Sequence, residues 1–311
     1  MRCEELLELM KHARRRAVLV GNDQCGTVVG LDLEGRLFAT VDDQIISRVV
    51  PEAIENRSTK DRYWNPGGDA LWPAPEGTIF GYEYASGVWR VPPGITGAVW
   101  NVVEEWSKGC VIRAEIDLVN NRGLGLPCEF ERRIEVDSCE GHLLQKVTEM
   151  IRYKGRGVVE HGDFLLAPWS LSQFDSMPGG HVVFASTAEI RDLYGPSDAQ
   201  RQSERGQCRV NVETRERFQL GLSGRLEGLD YIVPGRVRVR RRILAVSHEP
   251  PIDIADAPPE QRPSEHGVQL SLYCDPSGFM EMEACGGSPA RLLPGTETVL
   301  CTLTEMERNE S

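Results

Sequence analysis

The chain has 311 residues and a formal net charge of −12, with 47 acidic residues against 35 Lys and Arg. A surface of that sign is not rewarded by nucleic-acid phosphates, so no nucleic-acid partner is expected. Hydrophobic residues make up 40%, and no apolar run approaches the ~18 residues that a membrane span needs.

The first residues, Met1-Arg2-Cys3-Glu4-Glu5, place acids where a signal peptide needs a basic start. Nine cysteines, an odd number with no CxxC pair, suit reduced and mostly buried thiols better than a disulfide framework or a zinc site. The expected setting is cytoplasmic, with no membrane partner and no metal.

Residues 4–13 repeat Leu and Met at helical spacing, which predicts one short N-terminal helix within residues 1–14. Beyond Arg14-Arg15-Arg16 the pattern turns to short β-rich runs. Ala17–Val20, Gly26–Leu33 and Arg36–Val41 come first, the last two joined by Glu34-Gly35 as a hairpin signal. Thr78–Tyr84, Ala98–Trp106, Cys110–Val119, Cys128–Val136 and Leu143–Tyr153 follow. Asp163–Gln173, His181–Phe184, Cys208–Val212, Gln219–Leu222, Leu229–Val233 and Val237–Val246 carry the pattern on to Val268–Cys274, Phe279–Glu283 and Val299–Glu305. In Val111–Asp117 the charged and apolar side chains alternate, as one wet and one buried face require. About fifteen strands with little helix between them exclude a doubly wound parallel sheet and predict an all-β fold, a large antiparallel β-sandwich. Residues 249–266, rich in Pro and acid, read as a long surface loop inside a single domain spanning 1–311.

Three stretches together resemble the galactose mutarotase-like (aldose 1-epimerase) superfamily, in its uncharacterised branches. Asn65-Pro66-Gly67-Gly68-Asp69-Ala70-Leu71-Trp72-Pro73-Ala74-Pro75-Glu76 is similar to a Gly-Gly, Trp, Pro-Glu signature of those branches. Glu131-Arg132-Arg133-Ile134, followed by Ala167-Pro168-Trp169-Ser170-Leu171-Ser172-Gln173-Phe174, resembles a charged strand and then the strand that bears Asn-His-Thr-Tyr-Phe-Asn-Leu in authentic mutarotases. Gly278-Phe279-Met280-Glu281-Met282-Glu283, closed by Leu293-Pro294-Gly295, looks like the strand of the catalytic glutamate and its following turn. The resemblance implies a supersandwich that binds a small-molecule carbohydrate without a cofactor.

Aldose mutarotation removes the anomeric hydroxyl proton while the ring oxygen gains one, so it needs a base and an acid beside C1. The resemblance assigns the base to Glu283, with Glu281 two residues earlier on the same strand face. The family's acid is a histidine, and Trp169 stands at its position. An indole delivers no proton at neutral pH but stacks on the apolar face of a sugar, with Gln173 placed to hydrogen-bond hydroxyls. His161 is the candidate stand-in acid, ahead of His181. The Gly67–Glu76 segment, read as a rigid loop, would present Trp72, Asp69 and Glu76 to a sugar, or would plug one end of the sandwich.

No match for the family's substrate arginine is found. Arg236, Arg238, Arg240 and Arg242 share one strand face, which suits a solvated face better than an anion site. There is no P-loop, dinucleotide fingerprint or Gly-x-Ser-x-Gly elbow. Two functions from different classes stay open: an aldose 1-epimerase-like isomerase, and a non-catalytic sugar-binding or regulatory protein. The identity of the sugar and the oligomeric state are open as well.

Overall fold

The computed structural model describes residues 1–59, 61–82, 91–214, 216–224 and 226–308. Among them, two ten-stranded antiparallel sheets stack face to face. The first runs Ala17–Gly21, Cys25–Gly30, Arg36–Val41, Asp69–Ala74, Ala167–Asp175, Phe279–Cys285, Leu270–Asp275, Phe218–Ser223 and Glu189–Asp192, with the short Gln44–Ile45 strand also paired to Arg36–Val41. The second runs Arg201–Glu204, Gln207–Asn211, His181–Ala185, Leu229–Val233, Val237–Val246, Glu297–Arg308, His142–Tyr153, Gly125–Cys139, Gly109–Val119 and Asn101–Trp106. The all-β sandwich expected from the alternating pattern is the fold observed.

The second sheet keeps one wet face. In Gly109–Val119, Ile112, Ala114, Ile116 and Leu118 point into the core while Glu115, Asp117 and Val119 are exposed. The middle of the first sheet is different. All seven residues of Phe279–Cys285 and the first eight of Ala167–Asp175 are buried, because both faces of these strands are covered. Met280, Met282, Ala284 and Phe174 join the core between the sheets, whereas Trp169, Leu171 and Cys285 join a second cluster on the outer face with Ile252 and Ile254. Residues 249–266 contain no strand, but Ile252, Asp253, Ile254 and Ala255 are buried. The expectation of a surface loop is therefore corrected for this part of the segment. Its apolar side chains close the outer face of the sheet, and Asp253 ties it down by accepting from the Ala255 and Ser264 amides at 3.1 and 2.8 Å.

The N-terminal helix spans Cys3–His12, with Glu4 and Glu5 in its first turn and Lys11 and His12 in its last, the charge order that suits a helix dipole. Cys3, Leu6 and Met10 pack with Val28 and Phe38 of the first sheet and with Ile54 of the short helix Pro51–Glu55. The nine cysteines are free thiols, all buried except Cys139. No helix among the described residues is long and apolar enough to cross a membrane.

A polar knot joins the sheets through the core. From the second sheet, the buried Arg132 and Arg241 reach Asp69 at 2.5 and 2.8 Å, and Arg132 also pairs with Glu149 at 2.8 Å. Arg241 donates to Ser170 Oγ at 2.6 Å and Thr304 Oγ1 at 3.0 Å. Two guanidinium groups thus face two carboxylates, which balances charge where desolvation would otherwise forbid it. Asp69, held by both arginines, stays below the usual carboxylate range even though burial pushes the other way. Glu149, which competes for Arg132 and lies near the Asp69 charge, is pushed up by burial to about 7.

Candidate functional site

Five consecutive strands of the first sheet form the floor of a hollow of about 420 Å³ on its outer face, a size within the range of small-ligand sites. Antiparallel pairing sets the side chains side by side: Trp72 opposite Trp169, Gln173 opposite Glu281, and Glu281 opposite Tyr273. Since alternate residues of a strand share a face, Trp169 and Gln173 come up with Glu281 and Glu283, and Arg217 and Gln219 emerge beside them. The wall is aromatic. The Trp72 and Trp169 rings meet edge to face with centroids 6.2 Å apart, and Tyr63 approaches Trp72 at 6.4 Å.

Glu283 lies deepest, 1% exposed. Its Oε2 accepts from Trp169 Nε1 at 3.2 Å and from Gln219 Nε2 at 2.9 Å. Glu281 Oε1 accepts from Gln173 Nε2 at 2.6 Å. Burial first, and then the neighbouring Glu281 carboxyl, pushes Glu283 well above the usual carboxylate range. Glu281 is also raised by burial, with the Glu283 and Gln173 hydrogen bonds and the Arg36 charge pulling the other way. Two buried carboxyls this close resist ionising together, because two like charges cannot both be desolvated cheaply. Among the described residues, Gln173 Oε1 and Trp72 Nε1 are buried without a hydrogen-bond partner. Both residues line the hollow, so it holds one acceptor and one donor that the fold itself does not use.

The opposite rim carries Arg217. Its guanidinium lies 4.0 Å from the Tyr194 ring centroid and donates to the Tyr194 and Tyr273 hydroxyls at 2.8 and 3.0 Å. Asp275, which accepts from Tyr273 Oη at 2.7 Å and from Ser277, is held below its ordinary value by these donors against the effect of burial. Asp256 reaches the hollow from the buried part of the 249–266 segment.

The structure therefore brings together Glu283, Glu281, Trp169, Gln173, Trp72 and Glu76. It does not bring in Asp69. Residues 69–74 form a strand, not a loop, so Asp69 and Trp72 point to opposite faces and Asp69 enters the inter-sheet knot. His161 is also corrected: it sits exposed in a turn after the two-residue Val159–Glu160 strand and does not line the hollow. His181 belongs to the second sheet, where its Nδ1 is 3.1 Å from the Gly179 carbonyl. The arginine face resolves into ion pairs, with Arg238 and Arg240 on Asp230 and Arg242 on Glu305. The expected Thr78–Tyr84 strand is absent over 78–82, and its last two residues lie outside the described residues.

Sequence reasoning missed Arg217, Gln219, Tyr273 and Asp256. One of these, Tyr273, carried a signal. Asp275-Pro276-Ser277-Gly278 is a turn between two strands, and folding it as a hairpin sets Tyr273 against Glu281 and Ser271 against Glu283. A larger cavity of about 590 Å³ lies between Leu226, Ile243, His248 and Gly287, but it has neither an aromatic wall nor paired carboxyls.

No family model matches this chain, and no curated protein does either. Solved structures do match in shape. A galactose mutarotase-like protein from Lactobacillus casei ATCC 334 is 9% identical, with a TM-score of 0.56 over 94% of this chain and 100% of that one. Another from Clostridium acetobutylicum is 11% identical, with a TM-score of 0.53 over 94% and 96%. A galactose mutarotase related enzyme from Lactobacillus acidophilus is 11% identical, with a TM-score of 0.52 over 95% and 98%. Likeness at such low identity speaks for architecture rather than activity, and on that footing the chain has the galactose mutarotase-like β-sandwich fold.

Proposed function

We propose that the hollow binds the ring of an aldose or aldose derivative and that the protein interconverts its anomers, with C1 seated at Glu283. The observation that carries this reading is the meeting of a buried carboxyl pair and two edge-to-face indoles in one hollow. Indole faces suit the C–H surface of a pyranose, and the ring hydroxyls can satisfy Gln173 Oε1 and Trp72 Nε1. Trp169 Nε1 and Gln219 Nε2 fix the Glu283 carboxyl, as a proton-transfer group beside C1 requires. The solved structures of similar shape include proteins named for galactose mutarotase, which supports the same substrate class.

A second reading, a sugar-binding protein without catalysis, is favoured by one feature: Trp169 stands where a histidine acid is expected and is already bonded to Glu283.

Exchange NMR separates the two. With glucose and galactose as substrates, the wild type should accelerate α/β interconversion, and Glu283→Gln should lower kcat by about 100-fold or more while still binding sugar. Binding by calorimetry with no acceleration for any common aldose would leave only the second reading. No binding would remove both.

A further inference from the structure

The hollow has a carboxyl base but lacks the usual kind of acid. Among the described residues that line it there is no histidine, lysine or cysteine. Trp169 cannot release a proton, and burial pushes the Tyr63, Tyr194 and Tyr273 phenols up, away from neutral acidity. Among the described residues that line the hollow, the carboxyl set beside Glu283 on its own strand is that of Glu281. Glu281 and Glu283 rise from the same face of one strand two residues apart, and the Glu281 side chain is hydrogen-bonded to that of Glu283. Both are more than nine-tenths buried, at 8% and 1% exposed.

We propose that Glu281 is the proton-transfer partner of Glu283, so that one carboxyl pair holding a single proton supplies both the acid and the base for anomer exchange. This rests on the aldose reading above. It differs from the carboxylate–histidine pairing that the resemblance implies, and it makes the tryptophan at the histidine position compatible with catalysis.

The chemistry balances within the pair. The anomeric O1 and the ring O5 are both bonded to C1, so two adjacent carboxyls can reach both at once. The ionised carboxyl takes the O1 proton, the C1–O5 bond breaks with its electron pair going to O5, and the protonated carboxyl delivers its proton there. C1 becomes an aldehyde carbon. After rotation about C1–C2 the ring closes on the other carbonyl face, with both proton transfers reversed. The pair ends with the one proton it began with, and no oxidant, reductant or further co-reactant is needed.

The surroundings set the pH behaviour. Arg36, itself engaged by Glu34 and Tyr63, acts on Glu281 from the Arg36–Val41 strand. Glu76 adds negative charge near Glu283, and Asp275 does so near Glu281. Tyr273 on the adjacent strand and the buried, neutral Cys285 thiol complete the shell. The singly protonated pair is the working form, so activity should fall at low pH, where both carboxyls are protonated, and at high pH, where both are ionised.

The test uses the full chain, with glucose or galactose in exchange NMR from pH 4 to 10. The wild type should give a bell-shaped profile of kcat. Glu281→Gln should lower kcat by about 100-fold with KM changed less than about threefold, and Glu281→Asp should recover part of the rate with both limbs present. A Glu281→Gln variant that keeps wild-type kcat, or that loses only through KM, overturns the role of Glu281 while leaving an active sugar isomerase in place. A wild type that binds sugar without accelerating exchange removes the reaction itself and this role with it. Thermal denaturation checks that Glu281→Gln is folded. Should it not be, the wild-type profile decides, because a single-limbed curve is incompatible with a shared proton.

Discussion

Trp169 has two jobs that one substitution can separate. Its indole N–H donates to Glu283 at 3.2 Å, and its ring packs edge to face on Trp72. Trp169→Phe keeps an aromatic ring and removes the donor. Loss of that donor withdraws support from the ionised form of Glu283, so its protonation should shift to still higher pH. A smaller ring also offers less stacking area, and the combined loss in sugar affinity should be about tenfold, or roughly 1.4 kcal/mol. Calorimetric titration with an aldose measures this, and unchanged affinity would mean that the indole only plugs the floor. At this scale the sequence was informative where parity could be counted. Glu281 with Glu283, and Trp169 with Gln173, were placed correctly on shared faces because strands have period two. Arg241 was hidden by its neighbours. In Arg240-Arg241-Arg242 all three residues look alike, yet the middle one turns inward, 1% exposed, and donates to Asp69 and Ser170.

The strand Asp69–Ala74 shows why an element can be invisible while its residues are conspicuous. Pro73 and the preceding Gly67-Gly68 read as loop, and alternation is weak because both faces are covered. The glycines do set its start. Gly67 and Gly68 have φ of +88° and +74°, and a Cβ on Gly67 would lie 2.2 Å from the Arg48 carbonyl oxygen. This turn also accepts the Gln173 amide at the Gly68 carbonyl, 3.0 Å, so the same feature registers the strand that carries Trp169. Once the segment is a strand, Asp69 must face the second sheet, and two arginines depend on it. Asp69→Asn keeps the shape and removes the charge that Arg132 and Arg241 share. An uncompensated buried cation should cost about 3–5 kcal/mol, read as a lowered denaturation midpoint in urea. A cost below about 1 kcal/mol would show that the knot contributes little to joining the sheets.

Over the whole molecule, buried carboxyls oppose one another in their response to pH. Glu281, Glu283 and Glu149 are raised above their ordinary 4.5, Glu149 to about 7. A carboxyl with a raised folded value is protonated in the folded chain where the unfolded chain has already lost the proton. Its contribution is therefore complete below pH 4.5 and disappears as pH climbs through the folded value. Asp69 and Asp275 are lowered from 3.8, so theirs is present above that pH and lost on acidification through the folded value. The excess of 12 negative charges adds self-repulsion that grows above the isoelectric point near 5.1. These three effects place maximal thermal stability close to pH 5, with a decline toward pH 9. Glu283→Gln removes one carboxyl that must be ionised in the interior on the alkaline side, so its Tm should fall less steeply between pH 6 and 9 and exceed that of the wild type at pH 9. Scanning calorimetry across that range checks both curves. A wild-type Tm that rises from pH 5 to 8, or a Glu283→Gln curve parallel to it, would mean that the pair is ionised in the folded protein at no cost, and the shared proton on which the chemistry depends would be absent. A more stable but inactive variant would instead show that the hollow gives up stability to keep two carboxyls together where an aldose can reach them.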